Sequence, residues 1–282
     1  MAGVSDVIGI NYLIEQYDEI HRKFPDTPLV ASEIGGKMLP YGIMGDGSGE
    51  DWEAVNTRPY FMGMFKWVAF GYRGESRGWP RIYSRSGIIE PTAIPKENTW
   101  FYKQMWDETE SFAKLWPPHW NWTGKEGEMV TVKAYTNGDT LALYQDGCLV
   151  EKKTVNPYRR TTFQVPYHPG TLRVEAYRDG KLWATDVLAT TGSPITLEVE
   201  SSASTLRADR VNTCIVDLYA VDAAGRRVLW AENRIHLTLE GPATLLAVSN
   251  NDPYDAMGAT DPDRKLFGGH CQVIFRTTAE PG

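Results

Sequence analysis

The sequence predicts an α/β segment followed by two all-β segments. Three observations point that way. Short apolar runs alternate with amphipathic stretches as far as residue 107. Helical spacing stops at Pro117-Pro118. From there to the C-terminus, tight-turn pairs recur between short alternating runs. Boundaries are expected near 117 and 193, which divides the chain into 1–117, 118–193 and 194–282.

The first segment opens with a strand, Val7-Ile8-Gly9-Ile10, that ends in Asn11-Tyr12. Ile14, Tyr17, Ile20 and Phe24 follow at near-helical spacing with charged residues between them, and Pro25-Asp26-Thr27-Pro28 ends that helix. Leu29-Val30-Ala31 reads as a second buried strand running into Ser32-Glu33, and a polar, Gly-rich loop is expected over 35–51. A helix is expected within 52–63, a third strand at Met64–Phe70, and a last helix over roughly 96–113. Strand, loop and helix in this order indicate parallel strands joined by helical crossovers. Three strands are too few to close a barrel.

In the second segment, Val130–Tyr135 and Leu141–Tyr144 read as strands, and Asp146-Gly147 and Asp179-Gly180 as hairpin turns, the pattern of a β-sandwich. A further block opens near Ile195, with Leu197-Glu198-Val199-Glu200 alternating.

Composition narrows the function classes. With 282 residues, 42% hydrophobic and 23% charged, the chain can bury substantial cores and matches neither a disordered nor a membrane protein. The net charge of −7, with no Lys/Arg run, argues against nucleic acid as partner. No apolar stretch of about 18 residues offers a membrane span. The opening Met1–Ser5 lacks the charged and apolar regions of a signal peptide, and localisation stays unknown. Cys148, Cys214 and Cys271 have no metal-ligand spacing and read as small buried hydrophobes, with a Cys214–Cys271 pairing left open. No cofactor is called for. The 10 Trp, 14 Tyr and 9 Phe are the unusual feature. Aromatic faces suit sugar C–H faces, although core packing accounts for most of them.

Glu33 is the residue most suited to chemistry. It follows an apolar strand and should stand at that strand's C-terminal end, where (β/α) barrels collect catalytic groups. Tyr12 ends the preceding strand and Trp67 lies in the following one. A tyrosine hydroxyl can keep the carboxylate ionised while a tryptophan walls the sugar. Taken alone, the pattern is equally that of a solvated or ion-paired glutamate.

These residues also carry a resemblance. Asp6–Tyr12, His21 through Phe24-Pro25-Asp26, and Pro28–Glu33 resemble the nucleophile region of glycoside hydrolase family 2, the β-galactosidase/β-glucuronidase family. Trp67-Val68-Ala69-Phe70-Gly71-Tyr72 looks like the family's strand-eight motif. Ser86–Ile89, Ile94-Pro95-Lys96 and Phe101-Tyr102 through Trp106 look like the run that closes its barrel. His119–Trp122, Tyr135-Thr136-Asn137, Leu143–Gly147, Asn250–Pro253 and Phe267-Gly268-Gly269 extend the likeness through the β segments.

The resemblance implies about the last three strands of a (β/α)8 TIM barrel over 1–117, then two immunoglobulin-like β-sandwiches at 118–193 and 194–282. It implies a retaining β-glycosidase, most similar to the β-galactosidase type, with Glu33 as nucleophile and Tyr12 touching it. Asn11, Trp67, Trp52 and Tyr72 become candidate substrate-binding residues. Gly71 stands where the family commonly has Asp. The family's Asn-Glu acid/base pair has no counterpart before Glu33, and the match begins at what would be the sixth barrel strand. Glu75, Glu50 and Asp51 are the candidate second carboxyls, Glu75 foremost, although a loop charge beside Arg73 or Arg77 reads the same way. A carbohydrate substrate follows, and so does self-association or a partner chain that covers the open strand edges. A non-catalytic fragment, or a piece active only with a complementing N-terminal part, is the alternative.

Overall fold

A computed structural model describes residues 5–35, 38–39, 43–44, 48–76 and 78–282, so residues 1–4, 36–37, 40–42, 45–47 and Arg77 lie outside the described residues. The chain opens with β1 (Ile8–Asn11), a 3-10 turn at Ile14–Gln16, α1 (Tyr17–Lys23) and β2 (Leu29–Ile34). A two-strand pair, β3 (Met38–Leu39) and β4 (Ile43–Met44), leads to α2 (Ser48–Asn56) and β5 (Phe61–Lys66). Strands β1, β2 and β5 form a three-stranded sheet in that order, with both pairings parallel. One face is sealed: Leu29, Ala31 and Ile34 pack with Ile10, Tyr17 and Val55, all of them buried. Met62 and Phe65, about two-thirds exposed, project from β5 without cover.

The third strand lies three to four residues earlier than the expected Met64–Phe70. Pairing with β2 fixes it, Leu29 opposite Phe61 and Ile34 opposite Lys66, and a continuous apolar run carries no such register. The last helix, α3 (Glu97–Trp106), is shorter than the expected 96–113. The Asp107 carboxylate accepts the N–H groups of Thr109 and Glu110, a local turn that competes with helix continuation. Between β5 and α3, β6 (Tyr72–Arg73) and β7 (Tyr83–Ser84) pair antiparallel.

Next come β8 (Ala113–Trp116), β9 (Met129–Thr136), β10 (Thr140–Gln145), β11 (Cys148–Thr154), β12 (Thr161–Pro166), β13 (Thr171–Arg178) and β14 (Lys181–Ala189). The sheets β11-β10-β13-β14 and β12-β9-β8 share one core, centred on Trp120, Leu143, Phe163 and Leu172. Burial alternates along β12 and β13 with the two-residue period of a strand whose one face is covered. Both Asp-Gly turns form as read from the sequence: Asp146, Gly147, Asp179 and Gly180 all have positive φ, as a two-residue hairpin turn requires. Strand β8 precedes Pro117 yet pairs with β9, so this unit reaches back past the proline pair.

The last strands are β15 (Thr196–Ser201), β16 (Thr213–Val221), β17 (Arg234–His236), β18 (Ala243–Ser249), β19 (Asp263–Lys265) and β20 (His270–Thr277). They form the sheet β15-β16-β20-β18 and the pair β17-β19, around Leu218, Val228, Val248, Leu266 and Cys271. Two of the three cysteines follow the reading as small buried hydrophobes and one departs from it. Cys214 and Cys271 are buried but unbonded, because Cys214 pairs across with Phe275 and Cys271 with Leu218, several rungs apart. Cys148, just past the Asp146-Gly147 turn, is exposed rather than buried.

Polar contacts join the three parts. Glu97 of α3 accepts from Lys133 (2.7 Å), Tyr135 (2.5 Å) and Arg160 (3.0 Å). Asn251, in the last part, binds Thr92 through both ends of its amide, and Tyr83 donates its hydroxyl to the Asn251 carbonyl.

Candidate active site

Strands β1 and β2 end side by side. Their pairing sets Asn11 opposite Glu33, and the Tyr12 N–H donates to the Glu33 carbonyl at 2.8 Å. Strand β2 carries one residue too many for either neighbour. Three residue steps, Ala31 to Ile34, span what two, Met64 to Lys66, span in β5, and the register against β1 shifts at the same level. An extra residue of this kind is a bulge, which re-aims side chains at a strand end. Ala31 and Ile34 keep the sealed face, and Ser32 and Glu33 both reach Asn11 on the open one.

There the Ser32 hydroxyl donates to Asn11 Oδ1 at 2.8 Å, which turns the amide so that its Nδ2 donates toward Glu33 Oε2 at 3.5 Å. A Cβ at Gly9 would lie 2.8 Å from Ser32 Oγ, so the glycine leaves room for this arrangement. Sequence reasoning missed Ser32. Its only signal was a hydroxyl residue directly before Glu33.

Tyr12 completes the carboxylate's surroundings. Burial, and then the hydrogen bond and charge of Glu33, push its phenol well above the ordinary tyrosine range, with Glu75 and Tyr72 adding to the effect. It therefore keeps its proton at neutral pH and serves as a hydrogen-bond donor. Tyr72 donates its hydroxyl to the Glu75 carboxylate, and that bond is the main reason its own phenol is raised. Trp67 stands edge-on to Tyr72, with ring centroids 6.1 Å apart. The Trp67 backbone N–H donates to the Ile34 carbonyl at 2.8 Å, which carries the pairing with β2 one residue past β5.

Six of the nine residues singled out from the sequence thus gather: Asn11, Tyr12, Glu33, Trp67, Tyr72 and Glu75. Trp52 does not join them. It lies on α2 and meets Trp106 edge-on at 5.8 Å, lining a groove of about 370 Å³ with Met64 and Met105. Helix α2 covers the sealed face of the sheet, so its aromatic residue packs there. The same helix carries Glu50 and Asp51, which were expected in a loop near the strand ends; Asp51 is buried near Tyr17, away from Glu33. Arg77, a possible neighbour of Glu75, is outside the described residues. Among the described residues, no group of three or more His, Cys, Asp or Glu is placed to hold a metal ion.

A carboxylate held between an amide and a phenol at the ends of parallel strands, with an indole beside it, has the layout of a sugar-processing hydrolase site. Residues 197–282 match the family model described as glycoside hydrolase family 2 C-terminal domain 5. Residues 127–184 match a domain of unknown function, DUF4982. Over its whole length the chain is 26% identical to the beta-galactosidase BoGH2A of Bacteroides ovatus and covers 37% of it. Over 82% of its length it is 27% identical to a putative beta-glucuronidase of Formosa agariphila, of which it covers 23%. The crystal structure of a beta-glycosidase from Bacteroides vulgatus shares the fold, with a TM-score of 0.89 at 24% identity over 98% of this chain and 42% of that one. The similarities are thus to glycoside hydrolase family 2 enzymes, and residues 197–282 match a C-terminal domain of that family. The chain spans less than half the length of these relatives.

Proposed function

We propose that this chain carries the nucleophile of a retaining β-glycosidase of the β-galactosidase type. In this reading residues 1–117 are the end of a (β/α)8 barrel, and 118–193 and 194–282 are immunoglobulin-like sandwiches. Glu33 attacks the anomeric carbon, and water later hydrolyses the glycosyl-enzyme. The observation that carries this is the convergence of Tyr12 and Asn11 on the Glu33 carboxylate. Two donors aimed at one acceptor hold the carboxylate in place on the open side of the sheet. Trp67 supplies the wall for the sugar, and Tyr72 a second aromatic edge.

Retention needs a second carboxyl about 5–5.5 Å from the first. Glu75 is the candidate within this chain, because it and Glu33 both act on Tyr12 and Tyr72 holds its carboxylate. A second reading has a specific basis: β1 and β5 are the edges of an open parallel sheet, and Met62 and Phe65 are bare on β5. On that basis a second copy or a complementing N-terminal part covers the sheet and brings the acid/base.

The test is hydrolysis of nitrophenyl β-galactoside, β-glucuronide and β-mannoside by the chain, with and without an N-terminal part, followed by trapping with a 2-fluoro sugar and peptide mapping. Label on Glu33, and a Glu33→Gln protein that folds but is inactive, are the expected outcomes. Label on another residue, or full activity in Glu33→Gln, removes the assignment.

A further inference from the structure

Away from Glu33, the three parts of the chain enclose a second concavity of about 1070 Å³. None of Asn11, Tyr12, Glu33, Trp67, Tyr72 and Glu75 lines it. We propose that this cleft binds an acidic oligosaccharide, whose anionic groups meet Arg85 and Lys96, whose rings lie against Trp116 and Phe267, and one of whose hydroxyls donates to Nδ1 of His270.

Charge is the first argument. The chain as a whole is at −7, yet the cleft is lined by five Lys or Arg side chains and only two Glu. Pairing takes up some of each sign: Lys114 lies 3.2 Å from Asp186, Arg227 is bound by Glu198 and Glu200, and Glu97 by Lys133, Tyr135 and Arg160, which leaves Arg81, Arg85 and Lys96 against Glu90. Arg85 is exposed, and the Lys96 ammonium donates to the Arg85 carbonyl at 2.8 Å, so both cations sit on one wall. Burial depresses the Lys96 pKa against the opposing charge of Glu90, and the Arg85 charge adds to the depression.

His270 is the second argument, and it is independent of charge. Its side chain is only 3% exposed, and its Nε2 lies 2.8 Å from Asp217 Oδ1, which also accepts from Gln272 at 3.0 Å. A carboxylate can only accept, so the hydrogen resides on Nε2. Burial lowers the ring's pKa and favours the neutral form, which leaves a lone pair on Nδ1. That nitrogen is buried and has no hydrogen-bond partner, and the residue lines the cleft. An acceptor of this kind repels a bare anion and needs a donor. A ligand that satisfies both the cations and this nitrogen carries acid groups and hydroxyls on one frame, which describes a sugar acid. The aromatic walls, Trp116 from β8 and Phe267 from the turn before β20, are half-buried and offer apolar surface to sugar C–H faces.

The proposal does not depend on the role of Glu33, and its test is direct binding. Trigalacturonate is titrated calorimetrically into the whole chain, into Glu33→Gln, and into Arg85→Ala and Phe267→Ala proteins whose melting matches the parent. Neutral β-1,4-galactotriose and inorganic sulfate serve as comparators. Expected are equal affinities for the parent and Glu33→Gln, at least a tenfold loss in each cleft variant, at least tenfold weaker galactotriose, and no displacement by equimolar sulfate. Absence of trigalacturonate binding overturns the proposal. So does binding that survives both cleft substitutions, binding lost in Glu33→Gln, or sulfate competing as well as the trisaccharide, which would make the cleft a simple anion site.

Discussion

Glu97→Gln is expected to loosen the joint between α3 and the first sandwich in a way that pH exposes. One carboxylate oxygen accepts from Lys133, Tyr135 and Arg160 at 2.7, 2.5 and 3.0 Å, and the Glu97 side chain is 22% exposed. Glutamine keeps the shape and an acceptor oxygen, so the three bonds persist as neutral-acceptor ones. A bond to a charged group contributes about 1.5–3 kcal/mol and a neutral one about 1, so the substitution removes about 1 kcal/mol per bond. Partial exposure of Lys133 and Glu97 screens some of that, which leaves a net loss of about 2 kcal/mol. The pH dependence has a definite sign. Although burial raises the Glu97 pKa, its three donors and their charges outweigh that and hold it below the usual carboxylate value. A group depressed in the folded state stabilises fully above its unfolded pKa of about 4.3, and that stability is lost as pH falls through the folded value. Urea unfolding followed by tryptophan fluorescence should therefore show a parent-to-variant gap of about 2 kcal/mol at pH 7, held down to about pH 5 and shrinking below it. A gap under about 0.5 kcal/mol at pH 7, or one that widens on acidification, would refute the reasoning.

Three further outcomes follow from the geometry. Tyr12→Phe keeps the ring and removes the donor to Glu33, so kcat on the activated galactoside should fall by roughly 10²-fold with little change in KM; an unchanged kcat would separate Tyr12 from the nucleophile. Gly269→Ala places a methyl 2.2 Å from the Val228 carbonyl oxygen at a φ of +70°, and should destabilise the last part by at least about 2 kcal/mol in urea titrations, most of it from overpacking and left-handed strain. Of the three thiols, Cys148 alone should react with a maleimide in the native protein. Cys214 and Cys271 are buried, and burial pushes the Cys271 thiol up to about 12; rapid native labelling of either would contradict the packing of β16 and β20.

Local sequence carried some of this structure, and pairing decided the rest. The Asp-Gly turns were legible because Asp146-Gly147 and Asp179-Gly180 accept the positive φ that a hairpin demands, a property of the residues themselves. The end of β2 was legible because an apolar run stops at a carboxylate. The third strand was not, since Phe61 through Phe70 is apolar almost throughout and only the neighbouring strand selects Phe61–Lys66. Trp52 was misplaced for a similar reason: an aromatic residue near a site in sequence can lie on either face of the helix that carries it, and here the sealed face took it. The Tyr83–Asn251–Thr92 tie was invisible too, because it joins residues about 160 positions apart.

The same point applies with most force to Glu33. In a strand of strict alternation, Leu29, Ala31 and residue 33 share one face, which would drive the carboxylate into the core between β2 and its helices. A charge placed there unpaired costs several kcal/mol and would instead titrate to its neutral form, useless as an attacker. The extra residue in β2 reverses the parity. Ile34 takes the core position, Ser32 and Glu33 reach the open side together, and the serine orients the amide that faces the carboxylate. The bulge therefore lets one strand supply both a dry core and a carboxylate on the open side within four residues. That is why Ser32, whose hydroxyl bonds Asn11, belongs to the site.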